Sequence, residues 1–510
     1  MDERIKLDKN QKIVFLGCGS VAKCCIYYLN KFIKYKPQQV FIIDKDINTS
    51  KFPSVVEIVR NGATFLHFEI KRHNLTLLFD EKLKLKKDDI IIDLTTQTCT
   101  YIIFQECRMR NILYINTSIE EDDIVEDSTI HCPVNNGIFL QHVNLQLIAE
   151  KTKDYGDTTS LIEFGMNPGL ISVFVKQGII NLAKQVIKYR KSKNKNVNKH
   201  MEQYVKEKNH KKLAKMLGIE VMHCSEIDTQ LPEVINKDIF INTWSCVGLI
   251  TEGLEPAEIQ MGTHEKYIPF AKSAVNQVIP QLLITKAYGK DLKFESIAPL
   301  KINSDNSITF TKFEGRCIHH GEGISLNRYL GSFKYAPTMH YVYKLNPHTE
   351  EMIDKIPPSE MIKILNDPSR WKVLNMYEDK INGYDNIGTL FVSRKNPFTE
   401  SEELFYFWTG SILNTDYTKN VLKDQYFGPT VIQVMAGVLS GVVWMMKHKN
   451  RGLCFGEDID DKFVINMCKK YLGVYYSRPV IVPKEHELSG TTMDKLFVDK
   501  NAEKTDVDDL

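Results

Sequence analysis

Near the start of the chain an apolar run, KIVFL, meets a glycine-rich turn and then a mixed apolar and polar stretch, VAKCCIYYL. This order predicts a strand, a tight turn and a helix within residues 12–29. The same rhythm repeats. QVFIID, ATFLHFEI, DIIIDLT and ILYINTSIE are short apolar runs bounded by polar residues, as expected of strands buried on both faces of a parallel sheet. TSLIEFGMNPGLISVFVKQGI then reads as a strand, a turn from Gly165 to Gly169 and a helix. Together these define an α/β arrangement, an N-terminal Rossmann-like parallel sheet domain over residues 1–163.

The pattern changes from 219 to 345. IEVMHCSEID, DIFINTWS, ITFTKFEGRCIHH and MHYVYKL are short, partly alternating strand runs separated by turns. They predict a second α+β domain with a mixed sheet over 164–425, which includes Trp244 within a strand. Residues 426–500 read as C-terminal helices returning to the first domain, and 501–510 as a polar tail. The apolar stretch Val431 to Met446 is short for a bilayer and contains Gln433, so it reads as a buried helix with glycines at 437 and 441 for close packing.

Composition adds exclusions. With 66 Lys and Arg against 64 Asp and Glu, the formal charge of +2 provides no global field toward nucleic acid or an anionic membrane. The basic segment 190–215 lacks interleaved aromatics and reads as a solvated loop and surface helix. Eleven scattered cysteines without a C-x-x-C pair fit reduced thiols in a cytoplasmic protein, and the opening residues carry no secretory signal. No metal is expected. His264-Glu265 lacks the helical H-E-x-x-H spacing, and His319-His320, read as strand neighbours, would point to opposite faces.

The glycine turn carries specific chemistry. Gly17 permits the tight turn, Gly19 lets the backbone approach a pyrophosphate, and Ala22 allows close helix packing. Ser20 and Val21 open the helix whose free N–H groups attract phosphate. Asp44 ends the second strand about 25 residues beyond the turn, placed to accept from ribose hydroxyls and to repel a 2′-phosphate. This favours NAD over NADP. Thr95 and Thr96 follow the fourth apolar run, and Thr117 and Glu120 follow the next; each is placed either to touch a ligand or simply to cap a loop. Asn167 is placed either to cap the following helix or to face the cleft.

FLGCGSVA, EFGMNPGLIS, NTWSCVGLITEGLEPAEIQMGTHE, GRCIHHGEGISL and GPTVIQVMAG, spread over residues 13–485, make the chain resemble the homospermidine synthases of the saccharopine-dehydrogenase-like superfamily. The resemblance implies a homodimeric enzyme that acts on putrescine or spermidine with a recycled NAD. It also implies site roles. Trp244 would meet a substrate ammonium or iminium with its ring face, Glu226 would stand near the reacting amine and Glu252 would hold the distal ammonium. Glu120, Asn167, His320 (or its neighbour His319) and Asp385 would line the pocket. Such a set suits the substrate, because a dication needs carboxylates at both ends and an apolar wall between them. An imine-reducing saccharopine-type or carboxyspermidine dehydrogenase would instead need an arginine clamp, for which Arg316 is the available residue. A non-catalytic NAD-binding module would keep the turn without the acids.

Overall fold

The computed structural model describes residues 4–121, 137–279 and 281–510. Its first sheet has seven parallel strands. From one edge to the other they are Leu453–Cys454, Ser160–Leu161, Leu113–Asn116, Ile90–Asp93, Ile13–Leu16, Val40–Asp44 and Thr64–His67. The three central strands of the Rossmann unit are apolar because helices cover both faces; all four residues of Ile13–Leu16 are buried. Chain order reverses on either side of Ile13–Leu16, so a crevice opens at the carboxyl ends there.

The second sheet has ten strands. Its spine runs Val275–Ile279, Leu282–Tyr288, Pro256–Gln260, Thr338–Lys344, Ile219–Asp228, Tyr384–Ser393, Phe405–Asn414 and Val474–Val480. The hairpin Lys293–Ile302 with Ile308–Arg316 joins it at Arg316 opposite Tyr343. Thr338–Lys344 and Ile219–Asp228 are parallel and the other pairs are antiparallel, so the sheet is mixed. The predicted fold class is therefore the observed one.

Two long helices lie between and behind the sheets. Leu170–Ser192 follows the Rossmann strand Ser160–Leu161 and covers the mixed sheet, where Gly178 meets the ring of Phe391. Pro429–Lys447 is almost wholly buried, and a Cβ at Gly437 would collide with the carbonyl of Gly165. Both helices are long and apolar enough for a membrane span by composition, yet their apolar faces are spent on the protein core.

Several sequence expectations change. The segment 426–500 is not purely helical: Leu453–Cys454 adds an edge strand to the Rossmann sheet, and Val474–Val480 adds one to the mixed sheet. The first domain is thus closed by residues far beyond 163. The polar tail is pinned: Thr505–Asp506 pairs antiparallel with Tyr267–Ile268, and the Thr505 hydroxyl donates to Phe270 O at 2.7 Å. Trp244 is not in a strand. Phe240–Asn242 stops at Asn242, whose side chain bonds Ser245 O at 2.8 Å, while Ser245 caps the helix Cys246–Leu254. The ten described cysteines are all buried, and none is joined in a disulfide to another described residue.

Candidate active site

A cavity of about 1190 Å³ extends from the glycine turn to Trp244. At the Rossmann end Gly17 has φ +83°, and a Cβ there would lie 2.6 Å from Leu94 O. Only glycine fits that turn. The helix Ser20–Phe32 begins at once, with no side chain capping its first turn, so its amino end is free to face an anion. Asp44 accepts from Cys18 N at 2.5 Å and Asp46 N at 2.7 Å, which holds its carboxylate beside the turn and on the cavity wall. Gly19, Ser20, Val21, Thr95, Thr96 and Thr117 share that wall.

The other half of the cavity is assembled from distant elements. Glu226 comes from the carboxyl end of Ile219–Asp228 and is 2 % exposed. Asn167 does not cap a helix; its Nδ2 donates to Glu226 Oε2 at 3.0 Å, and Tyr341 OH donates to the same oxygen. Burial pushes the Glu226 carboxyl above its ordinary range, although the Tyr341 and Asn167 donors work against the shift. Trp244 is half-buried, its ring against Gly248 and beside the Tyr343 hydroxyl. Glu120 accepts from Gln97 N at 3.0 Å and Ser118 Oγ at 2.8 Å. Desolvation, aided by Glu252 and Glu255, pushes its carboxyl up to about 7.

His319 and His320 lie beyond their strand, in the approach to the helix Gly321–Leu330, and both reach the cavity. The two side chains meet different acids. His319 Nε2 is 2.5 Å from Glu255 Oε2; His320 Nε2 is 3.6 Å from Glu252 Oε2, and its Nδ1 is 3.7 Å from Glu322 Oε2. Burial alone would lower both imidazoles, but the flanking carboxylates outweigh it: His319 is raised and His320 reaches about 10.

Asp385 does not reach the cavity wall. It is buried behind Glu226 and accepts from Thr430 Oγ1 at 2.6 Å, and it is Thr430 that lines the cavity. Arg316 is also outside, its guanidinium taken by Glu350 at 2.6 Å and Asp354 at 2.9 Å. Among the described lining residues the lysines and arginines are Lys23, Lys45, Lys71 and Arg72 on the Rossmann side, and Lys372, paired with Asp379 at 2.5 Å. Around Trp244 the wall is carboxylate and aromatic.

Sequence reasoning missed Glu163, Tyr341 and Tyr343. The tyrosines alternate in MHYVYKL, so a period-two reading puts both on one face. Glu163 left no such signal. It has φ +53°, and its carboxylate meets His142 Nε2 at 2.7 Å.

Family comparisons match this architecture. The description "Saccharopine dehydrogenase NADP binding domain" fits residues 13–215, and "Saccharopine dehydrogenase C-terminal domain" fits residues 165–474. The chain belongs to the saccharopine dehydrogenase family. Within it the chain is similar to the homospermidine synthase of Blastochloris viridis, with 26% identity over 471 residues covering 90% of this chain and 89% of that one. It is also similar to the homospermidine synthase of Mesorhizobium japonicum, 24% identical over 498 residues covering 94% of each. The fold is shared with the crystal structure of the Legionella pneumophila homospermidine synthase in complex with NAD, at a TM-score of 0.73 and 24% identity, covering 98% of this chain and 100% of that one.

Proposed function

We propose that this chain is an NAD-dependent homospermidine synthase, which converts two putrescines, or spermidine and putrescine, into homospermidine with release of an amine. The amine-bearing carbon of the donor is oxidised, the second diamine displaces ammonia (or a diamine) to form an imine, and the imine is reduced. NAD supplies the chemistry of accepting a hydride and returning it, so no net oxidation results.

The observation that carries this reading is the charge of the cavity around Trp244. Glu120, Glu163, Glu226, Glu252 and Glu255 line it and outnumber the two imidazoles, His319 and His320, that face Glu255 and Glu252, while the lysines and arginines of the lining lie toward the dinucleotide end or are paired at the rim. A diamine dication matches that wall. A cation against an indole face gains roughly 0.5–2 kcal/mol. The arginine that a carboxylate-bearing imine would need, Arg316, is buried in its own ion pairs. Glu226, held by Asn167 and Tyr341, is placed to take a proton from the reacting amine. Glu252 would hold the distal ammonium through Oε1, its Oε2 being turned to the His320 imidazole.

The dinucleotide fits the residues present. The Gly17 turn and the free amino end of Ser20–Phe32 would take the pyrophosphate, Asp44 the adenosine ribose, and Thr95, Thr96 and Thr117 the nicotinamide side. An acid at Asp44 favours NAD over NADP. Incubation of the purified protein with putrescine and substoichiometric NAD tests the proposal. Homospermidine and ammonia are expected over many turnovers; turnover limited to the amount of added cofactor would overturn it.

A further inference from the structure

Behind Glu226 lies an unusual accumulation of buried acid. Glu226 and Asp228 are two residues apart on Ile219–Asp228, and so share a face of the sheet. In the neighbouring strand Asp385 stands directly opposite Asp228, and Ile387 opposite Glu226. All three acids are 1–2 % exposed. Asp228 is well provided with donors: Gln230 N at 2.8 Å, Gln230 Nε2 at 3.0 Å and Thr243 Oγ1 at 3.2 Å. Asp385 is not. Its Oδ2 accepts from Thr430, but Oδ1 is buried with no donor among the described residues. Its diagonal neighbour on the same face of the ladder is Glu226.

Two buried carboxylates side by side repel unless a proton lies between them, and among the described residues no lysine, arginine or histidine bonds either one. The other titratable groups packed on the pair are Asp228, Cys224, Tyr341 and Tyr343, none of them basic. Asn167, Thr430 and Gln433 add dipoles but no charge. The imidazole of His320, edge-on to Tyr341 at 4.4 Å between ring centroids, is engaged by Glu252 and Glu322.

We propose that Glu226 and Asp385 share one proton in the unliganded protein, and that an ammonium group docking beside Trp244 expels it to solvent. The ammonium then takes over as the counter-charge of the pair. The carboxylic O–H bond breaks, the proton leaves through the open cavity, and the cation enters with its own protons in place. Asp385 is thereby a positioning residue, which acts on substrate through Glu226. Burial, which raises both carboxyls, works in the same direction. The inference rests on the polyamine reading of this same site.

Its consequences are measurable. Putrescine binding to the NAD-loaded protein, followed calorimetrically in buffers of different ionisation heat, should release about one proton per site at neutral pH. Affinity should fall about tenfold per pH unit below the apparent pKa of the pair. In Asp385→Asn the amide N–H supplies a permanent hydrogen bond to Glu226, so putrescine should bind without that proton release and with a flatter pH dependence. Infrared difference spectra supply a check on the unliganded protein: a carboxylic-acid C=O band should be present in wild type, missing in Asp385→Asn, and bleached when putrescine is added to wild type. Putrescine binding without proton release, release that persists in Asp385→Asn, or the lack of an Asp385-dependent acid band would each overturn the shared proton. Failure of putrescine to bind at all would overturn the polyamine reading, and the proton expulsion with it.

Discussion

Asn167 donates to Glu226 at 3.0 Å, and this one hydrogen bond ties the turn leaving the Rossmann sheet to the acid at the centre of the mixed sheet. The turn is held from its other side by Gly437, whose close approach to the Gly165 carbonyl leaves no room for a side chain. The dinucleotide end and the acidic end of the cavity are therefore registered through one short stretch of backbone. A hydrogen bond to a buried charged group is worth about 1.5–3 kcal/mol. Asn167→Ala should lower kcat/KM for putrescine about 10- to 100-fold. Because Asn167 is only partly buried, Tm should change little. Steady-state kinetics beside thermal melts check this, and an activity loss that merely follows Tm would assign Asn167 a packing role.

Trp244 separates cation binding from packing. Its ring is half-buried against Gly248, with one face on the cavity. Trp244→Phe keeps a ring with a weaker negative face, and Trp244→Leu keeps only an apolar wall. A contact of roughly 0.5–2 kcal/mol predicts a loss of about 2- to 30-fold in kcat/KM for Leu, with Phe in between, at similar Tm and bound NAD. Equal turnover by Phe and Leu would remove the cation–π role.

Asp44 acts on the turn as well as on the ribose, because its carboxylate already accepts from Cys18 N and Asp46 N. Asp44→Asn retains one acceptor oxygen and removes the charge. NAD affinity should fall by about tenfold, as for loss of one charge-assisted hydrogen bond, while NADP affinity falls less or rises. Calorimetric titration with both cofactors gives the ratio. An unchanged ratio would place the discrimination elsewhere.

The pH dependence of stability should have two separate limbs. His320 is raised to about 10 by Glu322 and Glu252 against the lowering effect of burial. Its ordinary value is about 6.5, so its contribution to stability is fully present below that and is lost as pH rises toward its folded value. His320→Gln should flatten the alkaline fall in Tm. His340 has the opposite sign. Burial lowers it to about 3, it packs 4.5 Å from His223 between ring centroids, and neither of its nitrogens has a hydrogen-bond partner among the described residues. Its contribution is present above about pH 6.5 and is lost as pH falls toward its folded value. His340→Phe should extend stability to lower pH with little change at neutrality. A melting series across both limbs tests each histidine, and a variant that parallels wild type along its limb would clear that residue.

The glycine turn, the strand before it and the acid closing the next strand were legible because local backbone demands specify them. A φ of +83° requires glycine at 17, and strands covered on both faces require uninterrupted apolar runs. The family resemblance named most of the polar residues that the structure brings to one cavity. It put Asp385 in the pocket, where the structure sets it one layer back behind Thr430 and Glu226, and it left open which of His319 and His320 faces the cavity, where the structure brings both. It could not show that Leu453–Cys454 completes the first sheet and Val474–Val480 the second, since pairing between strands far apart in the chain leaves no local periodicity. Local sequence determined which segments became strands, turns and helices, because backbone sterics and the period of apolar positions act over a few residues. Only the tertiary structure decided that Glu226 meets Asn167, Tyr341 and Asp385, because the strands carrying them were brought together by sheet register, and burial then set their charge.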